Sequence, residues 1–105
     1  MPTILITPAA ESDLINLWVF IAQDNRVAAD EVYEAVEQTF ATLASMPAMG
    51  TLYQPKRRRL EGIRFFPVTH FQKYIIYYRV IQGGIEIIRV LHAHMKRHTR
   101  LEQGH

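Results

Sequence analysis

The chain has 105 residues, 49% of them apolar, and a formal net charge of +2. That length favours one domain spanning 1–105, and that apolar fraction excludes a disordered chain. The absence of cysteine excludes a disulfide framework and a thiolate metal site. The opening Met-Pro-Thr-Ile-Leu-Ile-Thr-Pro lacks the basic n-region and long apolar core of a signal peptide. No apolar run reaches the roughly 18 residues of a membrane span. A cytoplasmic protein with no membrane partner is expected. The charge is unevenly placed. Residues 1–54 hold seven acids and the single base Arg26, a net of −6, whereas residues 55–105 hold eleven bases and three acids, a net of +8. Such a split reads either as a solvated surface or as a basic face for an acidic partner.

In chain order, Thr3 to Ile6 is β-prone and reads as a short strand. Thr7 is a hydroxyl N-cap followed by Pro8 at the first helical position. Leu14, Leu17, Trp18 and Ile21 then fall at i, i+3, i+4 and i+7, the stripe of an amphipathic helix, and Trp18 reads as core. Asp13, Asn16 and Gln23 lie off the stripe. Asp24-Asn25 makes a turn into a second helix from about Val27 to Ser45. Its buried stripe is Ala29, Val32, Val36, Phe40 and Leu43, with Tyr33 on the flank and Glu31, Glu34 and Glu37 facing out. Met46-Pro47 ends it, because a residue before proline avoids the helical region. The two helices form an antiparallel hairpin. Residues 47–62 read as a loop punctuated by Pro47, Gly50, Pro55 and Gly62. Three strands follow, at about Ile63–Val68, Tyr74–Ile81 and Ile85–His92. Turns lie at His70-Phe71-Gln72 and Gln82-Gly83-Gly84, the second a hairpin signal because glycine reaches positive φ freely. The stretch from about residue 94 is polar, basic and expected to be exposed, and it reads as a short helix or a loose tail. The fold class is α+β: an N-terminal strand and an antiparallel two-helix hairpin packed on a mainly antiparallel sheet of three to four strands.

The order and several local sequences resemble the RelE/ParE toxin superfamily of type II toxin-antitoxin systems, most closely its ParE branch. Ala9-Ala10-Glu11-Ser12-Asp13-Leu14 and Trp18-Val19-Phe20-Ile21-Ala22 are similar to the family's first helix. Leu43-Ala44-Ser45-Met46-Pro47-Ala48-Met49-Gly50 is similar to the end of its second. Gly62-Ile63-Arg64-Phe65-Phe66-Pro67-Val68, Tyr74-Ile75-Ile76-Tyr77-Tyr78-Arg79-Val80 and Ile85-Glu86-Ile87-Ile88-Arg89-Val90-Leu91-His92 resemble its last three strands. The resemblance covers about residues 3–95 and rests on the combination, since no one motif is diagnostic. It implies a toxin neutralised by a cognate antitoxin, with no cofactor. RelE-like members cut mRNA on the ribosome, whereas ParE-like members poison DNA gyrase by protein–protein binding.

RNA cleavage needs a base for the 2′-OH, an acid for the leaving oxygen and a cation for the phosphorane. Cleaving relatives carry an arginine after the tyrosine of the penultimate strand. Here Tyr74 is followed by Ile75. A second cleaving subgroup ends its last strand in His-Tyr, and here His92 is followed by Ala93. The resemblance therefore points to a gyrase inhibitor rather than an enzyme, with no catalytic residues. The alternatives are an RelE-like ribonuclease acting on the ribosome and mRNA, in which Arg64, Arg79 and His92 carry the chemistry, and a degenerate, non-toxic member. The residues expected to meet the target are Arg89, His92, His94, Lys96 and Arg97. By strand alternation Arg89 points opposite to Ile88 and Val90, and it reads either as a binding residue or as a member of an internal ion pair. The run Lys56, Arg57, Arg58 and Arg59 reads as a solvated loop or as an electrostatic dock for antitoxin acids. Tyr77, Tyr78, Phe65 and Phe66 suit base stacking or, more simply, the core. His92 and His94 share one strand face at a spacing able to hold a metal, but no carboxylate cluster completes a site, so no metal is assigned.

Overall fold

The computed structural model describes residues 2–54, 58–94 and 101, Arg59 by its backbone alone. The chain order is β1 (Thr3–Ile6), α1 (Pro8–Ala22), α2 (Arg26–Ser45), β2 (Thr51–Leu52), β3 (Ile63–Val68), β4 (Phe71–Ile81) and β5 (Gly84–His92), with single 3₁₀ turns at Pro47–Met49 and Arg58–Leu60. The strands form one mixed sheet in the order β1-β5-β4-β3-β2. β1 runs parallel to β5, and the other pairs are antiparallel. The fold is the expected α+β arrangement, with one strand more than expected. β2 comprises only two residues, which pair with Phe65 and Arg64 in a stretch read as loop. A strand that short carries no periodicity to detect.

The helix ends follow their capping chemistry. Thr7 accepts from the Ala10 amide at 3.1 Å, and Pro8 occupies the first turn of α1. Asn25 is not merely a turn residue: its carboxamide oxygen caps α2 by accepting from the Ala28 amide at 3.0 Å. Each cap satisfies an amide that has no partner inside its helix. Ala29, Val32, Val36, Phe40 and Leu43 of α2 and Leu14 and Leu17 of α1 are buried. All of these but Ala29 meet Ile76, Tyr78, Ile85, Ile87 and Val90 of the sheet in the main core. Trp18 departs from the core reading. It is half-buried, and its indole N–H donates to Asp30 at 2.8 Å, tying α1 to α2.

The opposite face of the sheet carries a second apolar cluster of Leu60, Ile63, Tyr77, Ile88, Leu91 and Leu101, with Tyr53, Phe65 and Ile75 at its margin. Leu101 has no exposed surface at all. The stretch beyond residue 94 was expected to be exposed, and at Leu101 that expectation fails. One apolar side chain in a basic stretch has an aromatic surface to cover, and burying it removes a leucine from water.

Alternation also fails in the middle of β5. Tyr78 pairs with Ile87 but Tyr77 pairs with Arg89, so Ile88 is an extra residue in a β-bulge. Ile88 consequently joins the second cluster while Val90 joins the main core. Arg89 cannot point opposite to both, and the bulge re-aims it.

The Gln82-Gly83 turn links β4 to β5, with Gly83 at φ 80°. Gly84 is required by proximity rather than by conformation. A methyl group at its Cα would overlap the Thr3 carbonyl of the neighbouring strand. Gly84→Ala should therefore detach β1 and destabilise the protein by at least about 2 kcal/mol, whereas Gln82→Ala in the same exposed turn should change stability by less than about 0.5 kcal/mol. Urea unfolding of both variants checks this.

Candidate functional site

The start of α1 is bonded to the bulge of β5. The Thr7 amide donates to the Ile87 carbonyl at 3.1 Å and its hydroxyl donates to the Ile88 carbonyl at 2.9 Å. One turn further on, the Asp13 carboxylate receives Arg89 through Nε at 2.7 Å and Nη2 at 2.8 Å. The same carboxylate accepts from the Val90 amide at 3.0 Å. β1 pairs only as far as Ile87, so this amide lies beyond the reach of the neighbouring strand, and Asp13 supplies the missing acceptor. Arg89 is only 7% exposed. Its guanidinium is matched bidentately, the geometry that best offsets the cost of burying two charges.

Next to this pair lies a groove of about 770 Å³ between α1 and the C-terminal half of β5. Leu17, Phe20, Tyr74 and Val90 form its apolar wall, and Asn16 and His92 are among the polar residues lining it. Phe20 is 70% exposed. With the apolar wall beside it, this ring extends a concave apolar surface of the kind a docking partner covers. α1 carries no charged residue between Asp13 and Asp24, so beyond Asp13, already paired with Arg89, the helical side of the groove presents no charge.

His92 closes β5. The Tyr74 ring meets it edge-on with centroids 5.5 Å apart, and the His94 ring lies over it at 5.0 Å. The other sequence-predicted residues fall elsewhere. Arg64 donates to the Gly50 carbonyl at 2.8 Å. It sits opposite Tyr78 on β4, while His92 sits opposite Tyr74. Four residues of strand separate those positions, roughly 13 Å at the usual rise. Arg79 follows Tyr78 and so occupies the other face of the sheet. The three residues proposed for cleavage are thus not brought together. Ile75 packs at the margin of the second cluster. Tyr77 and Tyr78 are buried and Phe65 and Phe66 half-buried, which favours the core reading. Arg58 is exposed in its 3₁₀ turn. Lys56, Arg57, Lys96, Arg97 and the side chain of Arg59 lie outside the described residues. Among the described residues, no three His, Asp or Glu side chains gather as a metal would require, and no helix is long and apolar enough to cross a membrane.

The family model for the ParE toxin of the type II toxin-antitoxin system parDE matches residues 4–97. The chain belongs to the ParE toxin family. A solved structure described as the chromosomal ParDE toxin-antitoxin system from P. aeruginosa is similar in fold, with a TM-score of 0.68 at 16% identity over 88% of this chain and 96% of that one. No curated protein sequence matches. This chain is therefore a ParE-type toxin of the type II toxin-antitoxin class.

Two functional features of this ParE chain escape a reading of its sequence. Asp13 is an off-stripe acid whose partners lie 76 and 77 residues away. Tyr78 is wholly buried. Its hydroxyl donates to the Pro47 carbonyl at 2.6 Å and accepts from the Gly50 amide at 2.9 Å. Together with Arg64, it holds the chain leaving α2 against the sheet. A side chain at Gly50 would overlap that hydroxyl.

Burial raises the Tyr78 hydroxyl above its ordinary value of 10.0, opposed by the Gly50 amide and by the charge of Arg64. The folded state therefore holds this proton more tightly than the unfolded chain. The resulting stability is fully present below pH 10.0 and is lost as pH rises through the raised folded value. Above pH 10 the wild type should lose stability that Tyr78→Phe does not lose, and at neutral pH Tyr78→Phe should cost about 1–2 kcal/mol. Denaturant titrations from pH 7 to 11 measure both effects. Removing one member of the buried ion pair should cost more. Asp13→Ala is expected to destabilise the protein by about 3 kcal/mol, and Asp13→Ala combined with Arg89→Met to recover part of that loss, because no unpaired charge remains. A double-mutant cycle that finds the two changes additive would show that the pair is not coupled.

Proposed function

We propose that this toxin inhibits DNA gyrase by protein–protein binding, without enzymatic turnover, and that its antitoxin silences it by filling the groove between α1 and β5. The observation that carries the non-enzymatic reading is the dispersal of the cationic residues. Arg64 is bonded to the Gly50 carbonyl, Arg79 lies on the far face, His92 lies at the end of β5, and Ile75 stands where cleaving relatives have an arginine. A phosphorane needs a cation and a proton donor within a few ångströms of one point, and these residues offer no such point. A protein–protein inhibitor needs a surface instead. His92 and His94 supply it at the end of β5, with the basic residues Lys96 and Arg97 following in sequence, while Arg89, held by Asp13, positions that end. The description of the P. aeruginosa relative as a ParDE toxin-antitoxin system supports the pairing with an antitoxin.

The groove suits the antitoxin for three reasons: its wall is apolar, Phe20 waits uncovered, and the edge of β5 beyond Ile87 is not paired with another strand. An extended or helical antitoxin segment gains by burying the first two, and an extended one also by pairing with the third. The acids of the first half all lie on α1, α2 and the turn between them, so an acidic antitoxin would lie along the sheet side of the groove. In Lys56 to Arg59 we see a source of attraction at a distance, sensitive to salt. Both partners place the work of the protein in the cytoplasm.

Supercoiling by purified gyrase and translation by purified ribosomes, assayed side by side with the toxin, separate the mechanisms. Trapped cleavage complexes with intact mRNA are expected. Codon-dependent mRNA cuts with supercoiling unaffected would assign the chain to the ribonuclease branch instead. Phe20→Asp should weaken antitoxin binding at least about tenfold, the loss typical of a central aromatic anchor, and leave the circular-dichroism spectrum unchanged. Calorimetry against the product of the adjacent reading frame measures this.

A further inference from the structure

One edge of the sheet is open and uncharged. β1 is the outer strand at that end, with β5 as its neighbour in the sheet. It lies between two prolines, Pro2 and Pro8. The Thr3 amide donates to the Gly83 carbonyl at 2.8 Å, and the Thr7 amide donates to the Ile87 carbonyl at 3.1 Å. Backbone groups alternate in direction along a strand, so those of Leu5 face β5 as well, and the N–H and C=O groups of Ile4 and Ile6 face outward. Edges of this kind are ordinarily blunted by a lysine, an inward charge or a bulge. Residues 1–10 carry no charged side chain. Leu5 is 50% exposed and Ile6 is 42% exposed. Ile4 packs on the main core, so Ile6 lies on that same face and Leu5 on the opposite one. The helical hairpin therefore leaves the edge accessible at Ile6.

The outward groups are complementary to themselves. About a two-fold axis at Leu5, an antiparallel second copy sets Ile4 opposite Ile6 and Ile6 opposite Ile4. Each of these pairs exchanges both of its N–H···O=C bonds. The two Leu5 side chains then meet in the non-hydrogen-bonded pair between them, where side chains lie closest. The prolines select this register. An axis at Ile4 would set Ile6 opposite Pro2, and an axis at Ile6 would set Ile4 opposite Pro8. Neither proline has an N–H to give. Centred on Leu5, the outward groups of Ile4 and Ile6 all find partners, and each exposed apolar side chain of β1 meets another.

We propose that the free toxin pairs with a second copy of itself through β1, joining two five-stranded sheets into one. A two-fold contact closes on itself and stops at two copies. Strands of 4 residues cover less than the roughly 1,200 Å² of a standard stable interface, so the pair is weak and forms as concentration rises. Nothing in this pairing depends on the target of the toxin.

Analytical ultracentrifugation of the full-length toxin alone, from about 1 μM to about 1 mM, spans the range of weak complexes and should show a monomer passing to a dimer. Amide hydrogen exchange at the two ends of that range identifies the edge. The Ile4 and Ile6 amides should slow about tenfold in the concentrated sample, whereas those of Thr3 and Leu5, bonded to β5, should not change. Leu5→Glu brings two carboxylates together at the axis, each beside the Glu86 that pairs with position 5. It should remain monomeric with an unchanged circular-dichroism spectrum. Mixing Leu5→Glu with Leu5→Lys should restore the dimer, because the residue on the axis faces its own counterpart. A toxin that stays monomeric throughout overturns the proposal, including the case in which the Ile4 and Ile6 amides slow only when the product of the adjacent reading frame is added. So does a dimer that forms without slowing those two amides, or one that Leu5→Glu leaves intact.

Discussion

Asp13 is the residue on which the geometry of the functional end depends. β5 has a pairing partner on its β1 side only up to Ile87. Beyond that, its outward amides would be left to water or to chance partners, a familiar weakness of sheet edges. The bulge at Ile88 turns the Val90 amide and the Arg89 side chain toward α1, and one carboxylate receives both. Thr7 completes the join from the other direction, capping α1 and serving two carbonyls of β5. The helix start, the bulge and the open edge therefore form one unit, and the groove is the space this unit leaves between α1 and the strand.

This arrangement explains why Arg89 is better understood as a positioning residue than as an exposed contact. A strand arginine in water contributes little, because solvent screens it. Buried against Asp13, the same guanidinium fixes the direction in which β5 presents Val90 and His92 to the groove. The layering of charge follows a similar division. Seven of the ten acids lie on the helical hairpin, whose single base is Arg26, whereas the described bases Arg58, Arg64, Lys73, Arg79 and Arg89 lie on the sheet and its connections, with Glu61 and Glu86 among them. Such an imbalance favours approach of a negatively charged molecule from the sheet side over approach from the helices.

What the sequence disclosed and what it hid divide along the range of the interactions. Thr7-Pro8, the stripe of α2, the Met46-Pro47 stop and the Gln82 to Gly84 turn are signals between near neighbours, and each appears where its local chemistry places it. The bulge, the Asp13–Arg89 pair and the burial of Leu101 arise from residues far apart in sequence. In periodic terms Asp13 is only a polar residue off a helical stripe, and Leu101 only an apolar residue in a basic tail. The internal ion pair was one of the two readings open for Arg89, but the alternation expected around it failed for the same reason, because alternation assumes a regular ladder and one inserted residue reverses every face beyond it. Ile75, by contrast, was informative without any structure, since a branched aliphatic side chain offers no cation wherever it points.

Leu101 also changes how the end of the chain must be understood. A basic segment after the last strand invites the view that it is a detachable recognition tail, whose removal would separate target binding from folding. That separation does not hold. Leu101 has no exposed surface, and it packs with Leu60, Ile63, Tyr77, Ile88 and Leu91 on the sheet face opposite α1 and α2. Cutting the chain after Leu91 would uncover an aromatic surface and delete the His94 turn along with any contacts to the target, so a loss of toxicity would have three causes at once. Charge-neutralising changes at Lys96 and Arg97 that leave Leu101 in place keep the second face sealed. They confine the effect to the two side chains proposed to meet the target.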